Sequence, residues 1–443
     1  MADRLHDVIV LGGGVAGLEA ARKLGEAGRR VLLLEGRTRL GGRVWTQALK
    51  GWPEPIELGA EFVHGGNPLM KTRVQDAAIG ISPVPEQHWW VENGTRRQMP
   101  GTWEKIDAVM KRIGPRFRGS FADWLNGPGA TVSSPDRELA ETFVRGFQGA
   151  PTEEMSAHTL FEATKEEEEQ SRLNGGYGRF IAYLADALPR DRVEVRLGQV
   201  AHRVEWRQDG VTVVAGRSQW RAKVLLVTVP LGVLRAPAGA KGAIRFDPPL
   251  KDKERVWAAV ETGEALRVIF RLRADVWQRG VMPKELRARS GRAFGFLHSK
   301  EKFFPVWWSE APAPIIVGWT GGPAVRKLAG QSRSRIFREA KRTLARLLDC
   351  AEPSLDRLVV DQQTHDWTAD PLTRGAYSFS KAGNEDVPKA LARPIDDVLF
   401  FAGEATADPL ELGTVHGALA SGARAAKEIL AGARRSFERT CRP

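Results

Sequence analysis

The feature that most limits the folds open to this chain is a glycine pattern near the N-terminus. Gly12, Gly14 and Gly17 have G-x-G-x-x-G spacing and directly follow an apolar run over 8–11. In a dinucleotide-binding unit, the first glycine permits a tight turn and the second lets the backbone approach a pyrophosphate. The third lets the helix pack closely on the strand. The pattern predicts a strand, a turn and a helix whose N-terminus faces phosphate groups.

The residues that follow complete a βαβ unit. The pattern predicts a helix over 18–27 with Gly28 as its stop, and a second apolar strand over 31–34 that ends at Glu35. A carboxylate at that place accepts hydrogen bonds from ribose hydroxyls and repels a 2′-phosphate, which argues against NADP. The unit predicts a doubly wound α/β domain.

Composition sets the size of the protein and excludes several classes. The 443 residues suffice for about two large domains or three smaller ones. With only Cys350 and Cys441, a disulfide framework and a multi-cysteine metal site are excluded, and no histidines have metal-ligand spacing. The longest nearly apolar run, 224–234, is too short to span a membrane. We expect a cytoplasmic protein without a metal.

The charge is strongly basic, with a net value of +12. Arginines are spread along the chain and no nucleic-acid-binding motif is present, so we expect a solvated basic surface and no nucleic-acid partner. The acidic run over 166–169 is interpreted as a solvated helix face, with a cation-attracting rim as the alternative.

Further along the chain, helical and strand patterns alternate in blocks. Helices are predicted over 102–113, 135–147, 179–188, 334–348 and 415–430, and strands over 193–197, 200–206, 211–214, 224–229, 265–272 and 398–401. Asp209-Gly210 predicts a hairpin turn. We predict a discontinuous nucleotide-binding domain from 1–75, 175–238 and 385–443, with 76–174 and 239–384 as the substrate-binding domain.

The segment after Glu35 discriminates between cofactors. It reads G-R-T-R-L-G-G-R, in which Gly41 and Gly42 let the main chain run against a long cofactor. The guanidinium groups of Arg37 and Arg43 can fork onto phosphate oxygens. Here the chain resembles the flavin-containing amine oxidase family, whose N-terminal motif has the form R-x-R-x-G-G-R.

The resemblance extends over most of the chain, with the motifs in the order of the family. They are E-L-G-A-E-F-V-H-G at 57–65, G-G-Y-G at 175–178, V-T-V-P-L-G-V-L at 227–234, F-D-P-P-L at 246–250, W-T-A-D-P-L-T-R-G-A-Y-S-F at 367–379, F-A-G-E at 401–404 and G-T-V-H-G-A at 413–418. The last is most similar to polyamine oxidases and lysine-specific histone demethylases. The resemblance as a whole implies a Rossmann-type FAD-binding domain with an inserted mixed α+β substrate domain.

The resemblance also implies a set of FAD contacts besides the glycine loop and Glu35. They fall on Arg37, Gly41, Gly42, Arg43, Ala60, Glu61, Phe62, Val200, Pro230, Trp367, Gly403, Glu404, Thr414, Val415 and Ala418. No cysteine lies near 404–414, so FAD attachment should be non-covalent. A helix that begins near Thr414 would direct its positive end at the reduced, anionic flavin. Glu404 should bond cofactor hydroxyls.

The reaction implied is oxidation of an amine, with hydride passing to flavin N5, hydrolysis of the imine and oxygen as the acceptor. A polyamine-like substrate is favoured. Glu61, His64, Tyr377 and Phe379 are the candidate substrate-binding residues. Each has a plainer alternative: Glu61 pairs with an arginine, His64 is a loop histidine bonded to backbone, and the two aromatic residues belong to the core. We expect His416 to pack within its helix terminus.

Two departures from the family affect the catalytic candidates Arg267, His64 and Thr414. Most members have a lysine where this chain has Arg267, and arginine keeps its proton at working pH. Lys300 or Lys302 is the alternative source of an ammonium. Thr414 stands where monoamine oxidases place a tyrosine, which argues against that branch.

These departures leave other functions open. An amino-acid oxidase would use Arg267 as a carboxylate anchor, and a flavin-dependent desaturase would not use oxygen. A FAD-binding interaction protein without turnover is the alternative outside enzymes. The sequence leaves the oligomeric state open.

Overall fold

The computed structural model describes residues 5–165, 170–277, 282–286, 294–310 and 312–440, so the acidic run at 166–169 lies outside the described residues. Two large β-sheets organise the chain. The G-x-G-x-x-G turn belongs to the first sheet and Arg267 to the second.

The first sheet has eight strands within the described ranges. In spatial order, seven are Val193–Arg196, Val31–Leu34, His6–Leu11, Ser218–Val227, Gly210–Ala215, Ala201–Arg207 and Arg245–Asp247, and Leu399–Phe401 pairs beside Ser218–Val227. The first four and Leu399–Phe401 run parallel. The predicted doubly wound fold is confirmed.

Burial alternates along the central strand of this sheet. Val8 and Val10 pack in the core formed with the helices on one face, whereas Ile9 and Leu11 pack in a second core on the other face. Both faces are therefore covered, which is typical of a parallel strand with an uninterrupted apolar run. The helix Val15–Glu26 connects His6–Leu11 to its parallel neighbour Val31–Leu34.

The strand predicted over 224–229 is the second half of a longer strand, Ser218–Val227. Its first half pairs with the hairpin strand Gly210–Ala215, and its second half pairs with Leu399–Phe401. The first half is mostly solvent-exposed and carries Arg221 and Lys223. Ala222 is the one buried residue in this first half. The hydrophobic pattern therefore did not predict it as a strand.

The second sheet has seven strands among the residues described, mostly antiparallel. In spatial order they are Val359–His365, Ala265–Leu272, Ile315–Gly321, Val306–Ser309, Phe296–Ser299, His88–Glu92 and Thr95–Gln98. The last two precede the others by some two hundred residues in sequence and join through a parallel pair with Phe296–Ser299. The long helix Arg333–Leu348 packs on the face away from the first sheet's glycine turn, in a core with Phe270 and Trp307.

The remaining elements connect or cover the sheets. The helices not yet named are Pro68–Asp76, Thr102–Lys111, Phe121–Asn126, Ser134–Gly146, Ala157–Ala163, Tyr177–Asp186, Leu231–Leu234, Lys251–Ala259, Glu352–Leu358, Val387–Ala392 and Val415–Thr440, with 3₁₀ turns at Lys284–Leu286, Gly322–Lys327 and Glu404–Thr406. Short strands pair as Phe62–His64 and Ile81–Pro83 with Gln170–Leu173, Thr46–Gln47 with Ile56–Glu57, and Glu261–Thr262 with Ser378–Phe379.

The predicted domain boundaries stay a prediction. The strand Arg245–Asp247 lies beyond 238 and yet pairs in the first sheet. No helix in the described ranges is both long and apolar enough to cross a membrane. The described His, Cys, Asp and Glu side chains form no group of three that could hold a metal ion.

Candidate active site

A cavity of about 730 Å³ lies where strand ends of the first sheet meet the second sheet. Leu11 and Leu34 line it from the first sheet, Thr228 lines it directly after the strand Ser218–Val227, and Arg267 and Trp319 line it from the second sheet. With one exception, Gly17, every residue that the sequence suggested for FAD or substrate lines this cavity. Residues far apart in sequence are thus brought to one site.

The glycine turn forms one end of the cavity. Gly12 has φ +118°, which favours glycine. A Cβ on Gly17 would lie 2.0 Å from the carbonyl oxygen of Gly12, so this glycine permits close helix packing, as predicted. Gly14, in contrast, faces open space: a Cβ there would meet no atom within 4 Å. The helix Val15–Glu26 begins here with no side-chain cap and no acidic residue in its first turn.

Glu35 lies buried beside this turn at the end of its strand. Its carboxylate accepts hydrogen bonds from the backbone N–H groups of Gly13 and Arg37, both at 2.7 Å. A carboxylate has about four acceptor sites, so it keeps capacity for hydroxyl donors.

The two motif arginines are held by protein carboxylates. Arg37 donates two hydrogen bonds to Asp370, at 2.9 and 3.0 Å, and one to Thr373. Arg43 donates to Glu404 at 2.8 Å and to the carbonyl oxygen of Ala376 at 2.7 Å. The predicted contacts of Arg37 and Arg43 with phosphate, and of Glu404 with hydroxyls, therefore stay predictions.

Asp370 anchors this arrangement although it was not predicted from the sequence. Burial by itself raises the pKa of its carboxyl, but hydrogen bonds from His365, Arg37 and the N–H of Leu372 hold that pKa well below its usual range. The carboxylate is ionised at every working pH. It fixes the Arg37 guanidinium beside Trp367, whose ring centroid lies 5.8 Å away.

Trp367 is fixed by a hydrogen bond from its Nε1 to the carbonyl oxygen of Leu58, at 2.8 Å. Its ring lines the cavity together with the other predicted apolar contacts. These are Ala60, Phe62, Val200, Pro230, Val415 and Ala418. Gly41 and Gly42 also line the cavity, with φ of +99° and +58°.

Arg267 lies in an ion cluster that consists of Glu57, Glu61, Arg172, Arg267 and Glu310, called here the Arg267 cluster. Arg267 is 6% exposed, and it donates through Nη1 to the backbone carbonyl of Glu57 at 2.6 Å. Its Nη2 lies 3.0 Å from Oε2 of Glu61. Of the two readings of Glu61, the structure shows the pairing with arginine.

Glu61 in fact pairs with two arginines. Its Oε1 accepts hydrogen bonds from Nε of Arg172 at 2.7 Å and from Nε1 of Trp308 at 3.1 Å. The alternative ammonium donors lie elsewhere: Lys300 is exposed and pairs with Glu92 and Glu138, and Lys302 is exposed and does not line the cavity.

The histidines at the cavity are uncharged. Burial lowers the pKa of His64 to about 4 and that of His416 to about 4. Thr414 is an N-cap of the helix Val415–Thr440: its hydroxyl donates to the carbonyl of Glu411 and accepts from the N–H of Gly417. Both hydroxyl functions are thus used within the protein. Catalytic roles for His64 and Thr414 stay predictions.

Aromatic side chains dominate the rest of the cavity wall. Tyr377 donates its hydroxyl hydrogen to the carbonyl of Phe147 at 2.7 Å. Phe379 is buried and also packs in the helical core around Trp124. The other aromatic lining residues, which sequence reasoning missed, are Phe143, Phe147, Trp308 and Trp319.

Some of these residues had a usable signal. In the strand Val306–Ser309, Trp307 packs in the core beneath Arg333–Leu348 while Trp308 faces the cavity side, so strand alternation alone separates them. Asp370 lies within the segment 367–379 that carried the resemblance. Arg172 had no sequence signal.

Comparison with known proteins agrees with this geometry. The sequence matches the family described as flavin containing amine oxidoreductase over residues 15–430. It is 28% identical to lysine-specific histone demethylase 1 homolog 2 of Arabidopsis thaliana, covering 96% of this chain and 58% of that protein. It is 25% identical to polyamine oxidase 2 of Arabidopsis thaliana, covering 97% and 89%. The chain therefore spans little more than half of the demethylase.

Two solved structures have the same fold. Putrescine oxidase bound to putrescine superposes with a TM-score of 0.77 at 20% identity, covering 97% of this chain and 99% of that one. Cyclohexylamine oxidase from Brevibacterium oxydans gives 0.76 at 20% identity, covering 97% and 100%. Such identity shows the fold alone, whereas the family match extends over most of the sequence. The chain belongs to the flavin containing amine oxidoreductases.

Proposed function

We propose that the protein is an FAD-dependent amine oxidase that acts on a C–N bond of a small amine. The observation that carries the proposal is the convergence of the predicted flavin and substrate residues on one cavity, beside an uncapped helix N-terminus. When bound, FAD supplies the hydride acceptor for conversion of the amine to an imine, which water hydrolyses, with oxygen as the proposed final acceptor.

The residues present fit FAD. The bare Cα of Gly14 and the free N–H groups of the helix Val15–Glu26 would hold the pyrophosphate. Glu35 would accept from ribose hydroxyls, and Arg37 and Trp367 would border the cofactor. Cys350 packs in the second sheet's core and does not line the cavity, which supports non-covalent binding.

The chain's own contribution is to keep the reacting amine neutral. A protonated amine cannot release hydride, and the aromatic wall excludes water that would stabilise an ammonium. Arg267 adds a fixed positive charge at this wall, which lowers the pKa of a nearby amine. Arg267 itself cannot accept the proton, so the amine loses it to solvent or to another group.

The alternatives differ in what supports them. An amino-acid oxidase needs a guanidinium for the substrate carboxylate. Nη1 of Arg267 donates to the carbonyl of Glu57 and Nη2 pairs with Glu61, whereas its Nε has no hydrogen-bond partner among the described residues. The names of the relatives support a polyamine-like substrate. Oxygen use and a cytoplasmic location stay predictions from the sequence.

Anaerobic mixing with amines tests the proposal. Absorbance of the oxidised flavin should bleach with at least one amine in a panel of polyamines, alkylamines and arylalkylamines, and return when air is admitted. Bleaching only by amino acids would favour the amino-acid oxidase. If dithionite reduces the flavin and no amine does, the proposal is wrong.

A further inference from the structure

We propose that the Arg267 cluster restricts the substrate to amines with one charged group and an apolar body, and excludes amines with a second ammonium near this wall. The inference rests on the proposed amine oxidation and departs from the polyamine-like preference predicted by resemblance. It follows from the contacts of Glu61, the carboxylate that the sequence analysis named as a candidate substrate-binding residue.

The Glu61 carboxylate is buried and already paired with two guanidinium groups, although its Oε2 makes no hydrogen bond among the described residues. It is 5% exposed, and its Oε1 already accepts from Arg172 and Trp308. Its Oε2 lies 3.0 Å from Nη2 of Arg267. A second ammonium would have to displace a buried guanidinium to reach this carboxylate, leaving that guanidinium without its partner.

The summed charge of the cluster gives the same answer. Burial raises the pKa of Glu57 to about 7, and burial together with the charge of Glu61 raises that of Glu310 to about 8. Near neutral pH, Glu57 and Glu310 are therefore only partly ionised. The two positive charges of Arg172 and Arg267 are opposed by the charge of Glu61 and by a fraction of the charge of these two carboxylates. Their sum is neutral or positive, which repels a second cation.

Three of the aromatic rings at this wall already face a guanidinium. The guanidinium carbon of Arg267 lies 5.4 Å from the ring centroid of Trp308 and 5.6 Å from that of Trp319. The guanidinium carbon of Arg172 lies 4.9 Å from the ring centroid of Phe62. These three rings line the cavity. At these three rings, cation–π attraction that would otherwise favour a polycation is already used by the protein.

What remains on this side of the cavity is apolar contact area. The rings of Phe143, Phe147 and Phe379 line the cavity, and among the described residues none of the three faces a guanidinium or ammonium group. The phenol of Tyr377 stays neutral because burial raises its pKa. An alkyl or arylalkyl chain gains by burial there, whereas a chain that ends in an ammonium must be desolvated.

Matched amine pairs test the inference. Pentylamine and cadaverine share a carbon chain and differ by one terminal amine, as do decylamine and decamethylenediamine. For the wild-type holoenzyme we expect the rate constant of anaerobic flavin reduction, divided by the apparent Kd, to favour each monoamine by about tenfold or more.

Arg172 supplies the variant because it contacts Glu61 without lining the cavity. In Arg172→Gln the cluster loses one positive charge, and the preference for the monoamine should narrow several-fold. Arg179→Gln is the control: Arg179 is exposed and donates to the carbonyl of Asn174, so its loss should leave the ratio unchanged.

Should Arg172→Gln not fold, the pH dependence of the wild-type ratio replaces it. Ionisation of Glu57 and Glu310 between about pH 7 and about pH 9 makes the cluster negative, so the preference should narrow over this range. Glu310→Gln should reduce that narrowing. A wild-type preference for either diamine would overturn the inference. So would a monoamine-to-diamine ratio that changes neither in Arg172→Gln nor with pH. If neither these four amines nor any other amine bleached the flavin, the proposed function itself would be wrong.

Discussion

Substitution of Gly14 with alanine separates the binding of FAD from the stability of the fold. Gly14 has φ −77° and ψ −178°, an extended conformation that alanine adopts readily. The new Cβ would meet no protein atom within 4 Å. The apoprotein should thus be as stable as wild type or more stable by about 0.4–1 kcal/mol, since alanine restricts the unfolded chain.

The same methyl group should weaken FAD binding, because the pyrophosphate is expected where that Cβ projects. Forcing a methyl into a close contact costs about 1–3 kcal/mol. Since each 1.4 kcal/mol is tenfold, Kd should rise by about 5- to 140-fold. Flavin is removed, the apoprotein is titrated with FAD by quenching of flavin fluorescence, and its thermal unfolding is followed without FAD.

Gly17→Ala is the matched control. Its Cβ would lie 2.0 Å from the carbonyl oxygen of Gly12 and 3.0 Å from Oγ1 of Thr228, so the helix must shift. This variant should lower the unfolding temperature of the apoprotein itself. Wild-type FAD affinity in Gly14→Ala would refute the reasoning, because it would mean that the pyrophosphate does not approach this backbone.

Three further predictions concern single contacts. Asp370→Asn weakens the two hydrogen bonds from Arg37, so it should lose about 1.5–3 kcal/mol of stability and release FAD more readily. The flavin retained after dialysis measures the release, and unchanged retention would contradict a positioning role for Arg37. Lys253→Met should lower the unfolding temperature, because Nζ donates to three carbonyls of 390, 391 and 393 within 2.8 Å; an unchanged melt would show that water replaces it. Burial lowers the pKa of His88 to about 4, so the unfolded chain binds an extra proton as the pH falls. The loss of urea stability between pH 6.5 and pH 4 should therefore be smaller by about 3 kcal/mol in His88→Gln than in wild type, and unchanged in the exposed His202→Gln.

Local sequence patterns predicted those parts of the fold in which the contacting elements are close together in sequence. The βαβ unit follows from periodicity and glycine placement, and the strand Ala265–Leu272 has the bounds that its apolar run predicts. Prediction was weaker where burial is one-sided, as in the first half of Ser218–Val227. The strand His88–Glu92 was missed because its partner Phe296–Ser299 comes some two hundred residues later.

The site shows the same division. Motifs identified residues whose backbone or position is special, such as Gly14 and Glu35. They could not identify the partners of charged side chains, because those partners are selected by tertiary packing. Arg172 meets Glu61 only because Phe62–His64 pairs with Gln170–Leu173, a contact that no local pattern predicts.

This division explains how the arginine at 267 should be understood. Taken alone, it replaces a lysine with a group that cannot release a proton. In the structure it is one of two guanidinium groups that balance Glu61, and its Nη1 also satisfies the carbonyl of Glu57. The charge of residue 267 is therefore fixed, and a pH-dependent charge at this wall comes from Glu57 and Glu310. A fixed positive charge disfavours an ammonium beside it, so the amine must lose its proton before it reaches the reacting position.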